Sequence, residues 1–163
     1  MATRSTAAKT AGIKTSENEA ESLWYRLLRC HALMLGELRG RLEDSDEAHK
    51  MTLARFDLLA SLNRNDGQTL ASISRDLLVT AGNVTGLVDR AERDGQVIRR
   101  AEPSDRRVSR VWLTPEGRTT IREVLPHHSK AVNALLEGLP AAERRELRRL
   151  LGGLRDHLEK ITS

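Results

Sequence analysis

The stretch from Thr69 to Leu113, TLASISRDLLVTAGNVTGLVDRAERDGQVIRRAEPSDRRVSRVWL, changes hydrophobic period part-way along and so leaves few folds open. Leu70, Ile73 and Leu77 recur at helical spacing, and Val84, Leu87, Val88 and Ala91 do so again. Only Leu78 and Val79 separate the first helix from Thr80, which leaves room for a tight turn and nothing more. Asp94-Gly95 is a turn signal. Beyond it the pattern reads as two strands, one carrying Val97 and Ile98 and one carrying Val108, Val111 and Leu113, about a turn at Pro103-Ser104-Asp105. Two short helices joined by a turn fit the helix-turn-helix pattern, here followed by a two-stranded hairpin with a charged tip.

The second of these helices has the sharper chemistry. Thr80 is placed to cap it through its hydroxyl. Asn83, Gly86, Asp89, Arg90 and Arg93 fall off its apolar face, and Thr80, Gly82, Asn83, Thr85, Gly86 and Arg90 are the candidates to face a major groove. Each glycine costs about 1 kcal/mol of helix stability against alanine, which makes sense where a backbone must come close to another surface. Such a helix start fits a DNA major groove, with its N-terminal dipole favouring phosphate. Ser74, in the first helix, is placed to touch phosphate. At the hairpin tip, Arg107, steered by Asp105, can enter an adjacent minor groove, with Arg106 on the backbone. The plainer alternatives are a core helix with a solvated polar side and a solvated charged turn. These residues taken singly do not separate the two readings.

Together they carry a resemblance. Leu53 to Gly117 resembles the MarR family of winged helix-turn-helix regulators, through ARFDLLASL, LASISRDLLVTAGNVTGLVDRAERDGQVIRR, the wing PSDRRVSRVWLT, and the TPEG that opens the next helix. The resemblance implies a mainly α fold with a small β-hairpin wing, a winged helix-turn-helix domain on a helical dimerisation scaffold. It also implies a homodimer, a small-molecule effector, and double-stranded DNA with a pseudo-palindromic operator whose half-sites lie about one helical turn apart. Ala91 and Gln96 depart from the pattern, standing where leucine is common, which implies a thinner core under the wing.

The flanks read as helix. Residues 1–16 have almost nothing to bury and are expected to form a disordered tail. A long helix is expected from Glu17 to about Glu43, with Leu23, Leu27, Cys30, Met34 and Leu38 on one stripe and Trp24, Leu28, His31 and Leu35 on the next. A polar break follows to Lys50, then a helix capped by Thr52 and ended by Asn65-Asp66-Gly67. Thr114-Pro115-Glu116 is a strong helix start, and Pro126 is expected to bend or interrupt the helix it opens. The last helix, from Ala141 to about Ile161, lines up Leu147, Leu150, Leu151, Leu154, Leu158 and Ile161. That stripe exceeds what a small core needs and suits isologous packing in a two-fold dimer. The expected organisation is one domain over 17–163, with the winged helix-turn-helix at about 52–114 and dimerisation helices at about 17–44 and 115–161.

Composition narrows the function. The net charge is +4, and Thr69 to Leu113 carries eight arginines against six acids, a net +2, so the placement of charge matters more than its sum. One cysteine excludes an internal disulfide and fits a cytoplasmic protein, and no apolar run is long enough for a membrane span. The five histidines form no metal-ligand pattern, and neither a phosphate-binding glycine loop nor G-x-S-x-G occurs, so catalytic residues, metal and cofactor are not expected.

The candidate effector-binding residues are Trp24, Leu27, Leu28 and His31 with Arg55 and Phe56, the aromatic rings flanking a ligand and Arg55 meeting an anionic group. Trp24 and Phe56, each taken alone, are better read as core. WYRLLRC, RFDLLASL and VTAGNVTGLVDR are similar to a branch of the family that represses aromatic-acid catabolism in response to hydroxycinnamoyl-coenzyme A thioesters. This implies p-coumaroyl-CoA or a related aromatic acyl-CoA as effector, with Arg26, Arg29, Arg39 and Arg41 as candidates for the phosphates. Alternatives are a free phenolic acid or oxidation of Cys30, though the apolar stripe predicts an inert, buried cysteine. A further alternative is an architectural or protein-binding winged-helix module.

Overall fold

The computed structural model describes the backbone over 5–43, 51–77, 79–102 and 105–162, with side chains over 18–42, 51–77, 79–102 and 108–162. The chain divides into two units, Met1–Gly40 and Arg41–Ser163. The division falls inside the first helix, α1 (Ser5–Glu43). This helix starts well before the expected Glu17, taking in residues read as tail. Ala7, Ala8 and Ala11 are the best of helix formers, and extending a helix already nucleated downstream costs little. Leu23, Trp24, Tyr25, Leu28 and Leu33 of α1 are all exposed, and so is Cys30, against the expectation that its stripe would bury it. The polar break at 44–50 lies outside the described residues.

The second unit holds α2 (Leu53–Arg64), β1 (Gln68–Thr69), α3 (Leu70–Leu77), α4 (Ala81–Arg93), β2 (Val97–Glu102), β3 (Asp105–Leu113), α5 (Pro115–Leu136) and α6 (Ala141–Thr162). Three threonines set helix starts as expected. Thr52, Thr80 and Thr114 accept the backbone N–H groups of Arg55, Asn83 and Gly117 at 3.3, 3.4 and 3.0 Å. Each such cap contributes about 1 kcal/mol. The apolar faces converge on one core. Leu58, Leu59 and Leu62 of α2, Ile73 of α3, Val84 and Val88 of α4, and Ile121 and Val124 of α5 are all but sealed from water. Full burial stabilises each by roughly 1.5–3 kcal/mol. α5 runs through Pro126 as a single helix rather than breaking there.

The wing is a three-stranded sheet in the order β1-β3-β2, not the two-stranded hairpin expected. Gln68 pairs with Val111 and Thr69 with Arg110, both antiparallel. Two residues are too few to show a period of two, so β1 was invisible to pattern. The buried Gln68 anchors it. Its Nε2 donates to Ser61 O (3.2 Å), Ser61 Oγ (2.9 Å) and Asn65 O (2.9 Å), while its Oε1 accepts from Ser72 Oγ at 3.1 Å. A fully partnered buried amide of this kind fixes geometry as well as energy. It ties the end of α2 to the start of α3.

On α2, Phe56 stacks against His128 of α5, with ring centroids 4.1 Å apart. Burial holds the His128 imidazole below its ordinary pKa. The unfolded chain therefore binds a proton more readily there. Stability conferred by the neutral ring is present above about pH 6.5 and is lost as pH falls from that value through the lowered folded pKa. Urea midpoints are expected to drop between pH 7.5 and 5.5, and His128→Phe, which keeps a stackable ring without a titrating nitrogen, is expected to flatten that drop. An equal drop in the variant would place the titrating group elsewhere.

Candidate nucleic-acid interface

α4 presents its first turns to solvent. Ala81, Gly82, Asn83 and Thr85 are exposed, while Val84, Leu87, Val88 and Ala91 are buried beneath them. The open end therefore offers small uncharged side chains and the orphan N–H groups of a helix start, an arrangement suited to phosphate and base edges. The Thr85 hydroxyl donates back to Ala81 O at 3.1 Å, leaving its lone pairs outward. A Cβ at Gly86 would lie 3.5 Å from Arg90 Nη1, so the Arg90 side chain lies back along the helix over the glycine. Arg90 is exposed and forms no ion pair among the described residues.

Ser74 differs from expectation. Its hydroxyl donates to Val79 O at 2.6 Å, and Val79 N–H donates to Ser74 O at 3.2 Å. The side chain closes the α3–α4 turn, and its proton is not free for phosphate. The side chains of Asp105, Arg106 and Arg107 at the wing tip lie outside the described residues, as does the turn at Pro103 and Ser104.

Sequence reasoning missed the residue that joins the wing to α4. Arg99 of β2 reaches across to α4. Its Nη1 meets Glu92 Oε2 at 2.7 Å, its Nη2 meets Asp89 Oδ1 at 2.5 Å and Thr85 O at 3.4 Å, and its backbone N–H donates to Glu92 Oε1 at 2.8 Å. Two acids one turn apart on α4 face one strand arginine. That is a signal only once strand and helix are known to be neighbours. Asp66 plays a similar part at the base of the wing. Its Oδ1 accepts from Gly67 N (3.1 Å) and Leu113 N (2.9 Å), and its Oδ2 pairs with Arg118.

Behind α4 lies a cavity of about 340 Å³ lined by Gly82, Asn83, Gly86 and Arg90 with Ala54 and Asp57 of α2. Burial raises the Asp57 carboxyl above its ordinary pKa, partly opposed by Arg64. The residues read from sequence as DNA-facing thus also form one wall of a cavity.

The family model that matches is that of the MarR family, over residues 51–109. The uncharacterised HTH-type transcriptional regulator YkoM of Bacillus subtilis is 32% identical over 106 residues, covering 65% of this chain and 68% of its own. The chain belongs to the MarR family. A MarR family regulator from Silicibacter pomeroyi superposes with a TM-score of 0.72 at 32% identity, covering 88% of this chain and 97% of its own. Bordetella bronchiseptica BpsR, whose DNA binding is regulated by 6-hydroxynicotinic acid, shares the fold with a TM-score of 0.73 at 24% identity, covering 82% of this chain and 98% of its own. As a MarR-type protein this chain is a DNA-binding, ligand-responsive, repressor-like transcriptional regulator and not an enzyme. Among the described residues, no helix is long and apolar enough to cross a membrane.

Within this MarR chain the six expected effector residues fall in both units. In α1, Trp24, Leu28 and His31 are exposed and Leu27 is partly buried. On α2, Phe56 is core, its ring spent on His128. Arg55 is engaged: Nη1 donates to Gln96 Oε1 at 2.5 Å and Nη2 to Asp94 Oδ2 at 2.8 Å. Gln96, which departs from the family's leucine, thus has a polar partner where a thinner core was expected.

Proposed function

We propose that this MarR-family chain is a homodimeric, cytoplasmic repressor of aromatic-acid catabolic genes, released from a pseudo-palindromic operator by an aromatic effector. The observation that carries the DNA half is α4, whose open first turns pair small neutral side chains with orphan N–H groups. Asn83 is assigned to base edges, and Thr80, Gly82, Thr85 and Gly86 to close approach. Arg107, steered by Asp105, is assigned to the minor groove and Arg106 to the backbone. Dimerisation is supported by α6, where Leu147, Leu150, Leu151, Leu154, Leu158 and Ile161 are all exposed and no residue is buried. A stripe that large is costly to leave in water.

The effector half is supported by the likeness to BpsR, which responds to an aromatic acid, and by the resemblance of α1, α2 and α4 to the thioester-responsive branch. p-Coumaroyl-CoA or a related aromatic acyl-CoA is the proposed effector. Arg55 of α2 is the residue proposed to meet its anionic group. The test is fluorescence anisotropy with DNA from upstream of the gene, with and without p-coumaroyl-CoA. Tight binding relieved by the thioester is expected. Tight binding that only a free phenolic acid relieves would keep the repressor and replace the thioester. A second reading, oxidation of Cys30, gains from the exposure of that thiol and predicts release by peroxide. Sequence-independent binding, or none, would favour an architectural or protein-binding module.

A further inference from the structure

Leucine takes up one side of α6 and arginine the other. Arg145, Arg148, Arg149, Gly152, Gly153 and Asp156 border an open groove of about 520 Å³. Arg145, Arg149, Gly152 and Asp156 follow one another at three- and four-residue steps, which keeps them on one face. That face lies across the helix from Leu147, Leu150 and Leu154. The acids nearby are already matched. Glu146 takes the Arg149 guanidinium through both oxygens, at 2.9 and 2.7 Å, and Asp156 accepts from Arg155 at 3.1 and 2.7 Å. Arg144, Arg145 and Arg148 form no ion pair among the described residues. Nothing among the described residues calls for the two glycines. A Cβ at either would meet nothing within 4 Å, and no residue of α6 is buried. Each glycine nonetheless costs the helix about 1 kcal/mol against alanine. A bare backbone is of use there only where another surface comes close to it.

We propose that the arginine face of α6 is a second DNA-binding surface, indifferent to sequence, which holds one duplex segment while α4 holds another. The occupant is anionic, because three guanidiniums there lack a counter-charge, and the arginine fork suits phosphate oxygens. The occupant is also extended, because the arginines line an open helix face and enclose no pocket. A phosphodiester backbone meets both needs, and a MarR-type chain already works on DNA. Gly152 lets that backbone sit against the helix beside Arg148. Arginine stems around an open groove grip phosphate but present nothing to a base edge. The contact is therefore weaker than that of α4 and reads no sequence. A partner on the leucine stripe leaves the opposite face open, so both DNA contacts are available at once. The chain then bridges two duplex segments.

The test is a bridging assay with the full-length chain at low salt, where phosphate contacts are strongest. One random-sequence duplex is fixed to beads, the chain is bound to it, and capture of a second, labelled random duplex is measured. Capture is expected. Arg144→Gln/Arg145→Gln/Arg148→Gln is expected to lower it by about tenfold or more while the chain itself stays on the beads. The same variant should flatten its salt dependence, each lost phosphate contact removing about 0.9 from the log–log slope. Gly152→Glu sets a carboxylate in the groove, adds helix propensity and is expected to lower capture too, so the result does not hang on the folding of one variant. No capture by the wild-type chain, or capture unchanged in either variant, would overturn the proposal. So would displacement of the second duplex by poly-glutamate more readily than by unlabelled duplex, which would make the face a site for acidic protein. Loss of the chain itself from the beads in both variants would put the arginines on the first duplex and overturn it as well.

Discussion

Gly117→Ala is expected to lower the unfolding free energy by about 3 kcal/mol or more, at or beyond the top of the ordinary range for overpacking. A Cβ at this position would sit 2.0 Å from Gln96 O and 2.9 Å from Gln96 C, with Leu113 Cδ2 at 3.2 Å. The obstacle is backbone, so no rotamer change relieves it. That carbonyl also accepts the Thr114 N–H at 3.1 Å, so moving it breaks the junction between the wing and α5. Gly82→Ala is the control. Nothing lies within 4 Å of a Cβ there, and the change adds helix propensity, so it is expected to stabilise by up to about 1 kcal/mol. Urea denaturation of the two variants beside wild type checks both signs. A Gly117→Ala protein as stable as wild type would mean that the junction between β2 and the first turn of α5 is looser than described.

Gly82→Glu is expected to leave folding intact and to cut DNA affinity by about a hundredfold or more. The position is exposed in the first turn of α4 and has open space around it. A carboxylate near a helix N-terminus favours the helix, by about 0.3–1 kcal/mol. The same charge placed against phosphate costs several kcal/mol, each 1.4 kcal/mol being a factor of ten in affinity. The loss should shrink as salt rises, since screening weakens the repulsion. Anisotropy titrations at two ionic strengths, alongside thermal melts, separate the two effects. Undiminished DNA binding would show that the N-terminus of α4 does not face the nucleic acid.

Gly82 and Gly117 also mark how far the chain can be read from its residues alone. Both are visible as glycines near helix starts, and TPEG stands out as a motif. Yet only the position of the Gln96 carbonyl explains why Gly117 must lack a side chain. Gly67 is similar. It ends the helix α2 by sequence, but its positive φ of 70° lies directly under the Trp112 ring, which a Cβ would meet at 2.5 Å. Among the functional candidates, Thr80, Gly82, Asn83 and Thr85 were legible because capping and the apolar face assign them to the open side of one helix. Arg99 was not, since its partners Glu92 and Asp89 sit on another element. Arg55 was legible as a candidate cation for an anionic ligand, but not as one already held by Asp94 and Gln96.

Local chemistry along the chain was enough to set the succession of the helices and the two longer strands from Thr52 onward, their threonine caps, and which faces of α2 and α4 are buried. Those features arise from interactions within a few residues, a threonine with the N–H three positions on or an apolar side chain recurring each turn. Packing was needed to establish that Gln68 and Thr69 add a third strand and that Pro126 leaves α5 in one piece. Packing was needed again for Arg99 to clamp α4 to the wing. The sheet and the clamp join residues distant along the chain, and no local period encodes which of them will meet.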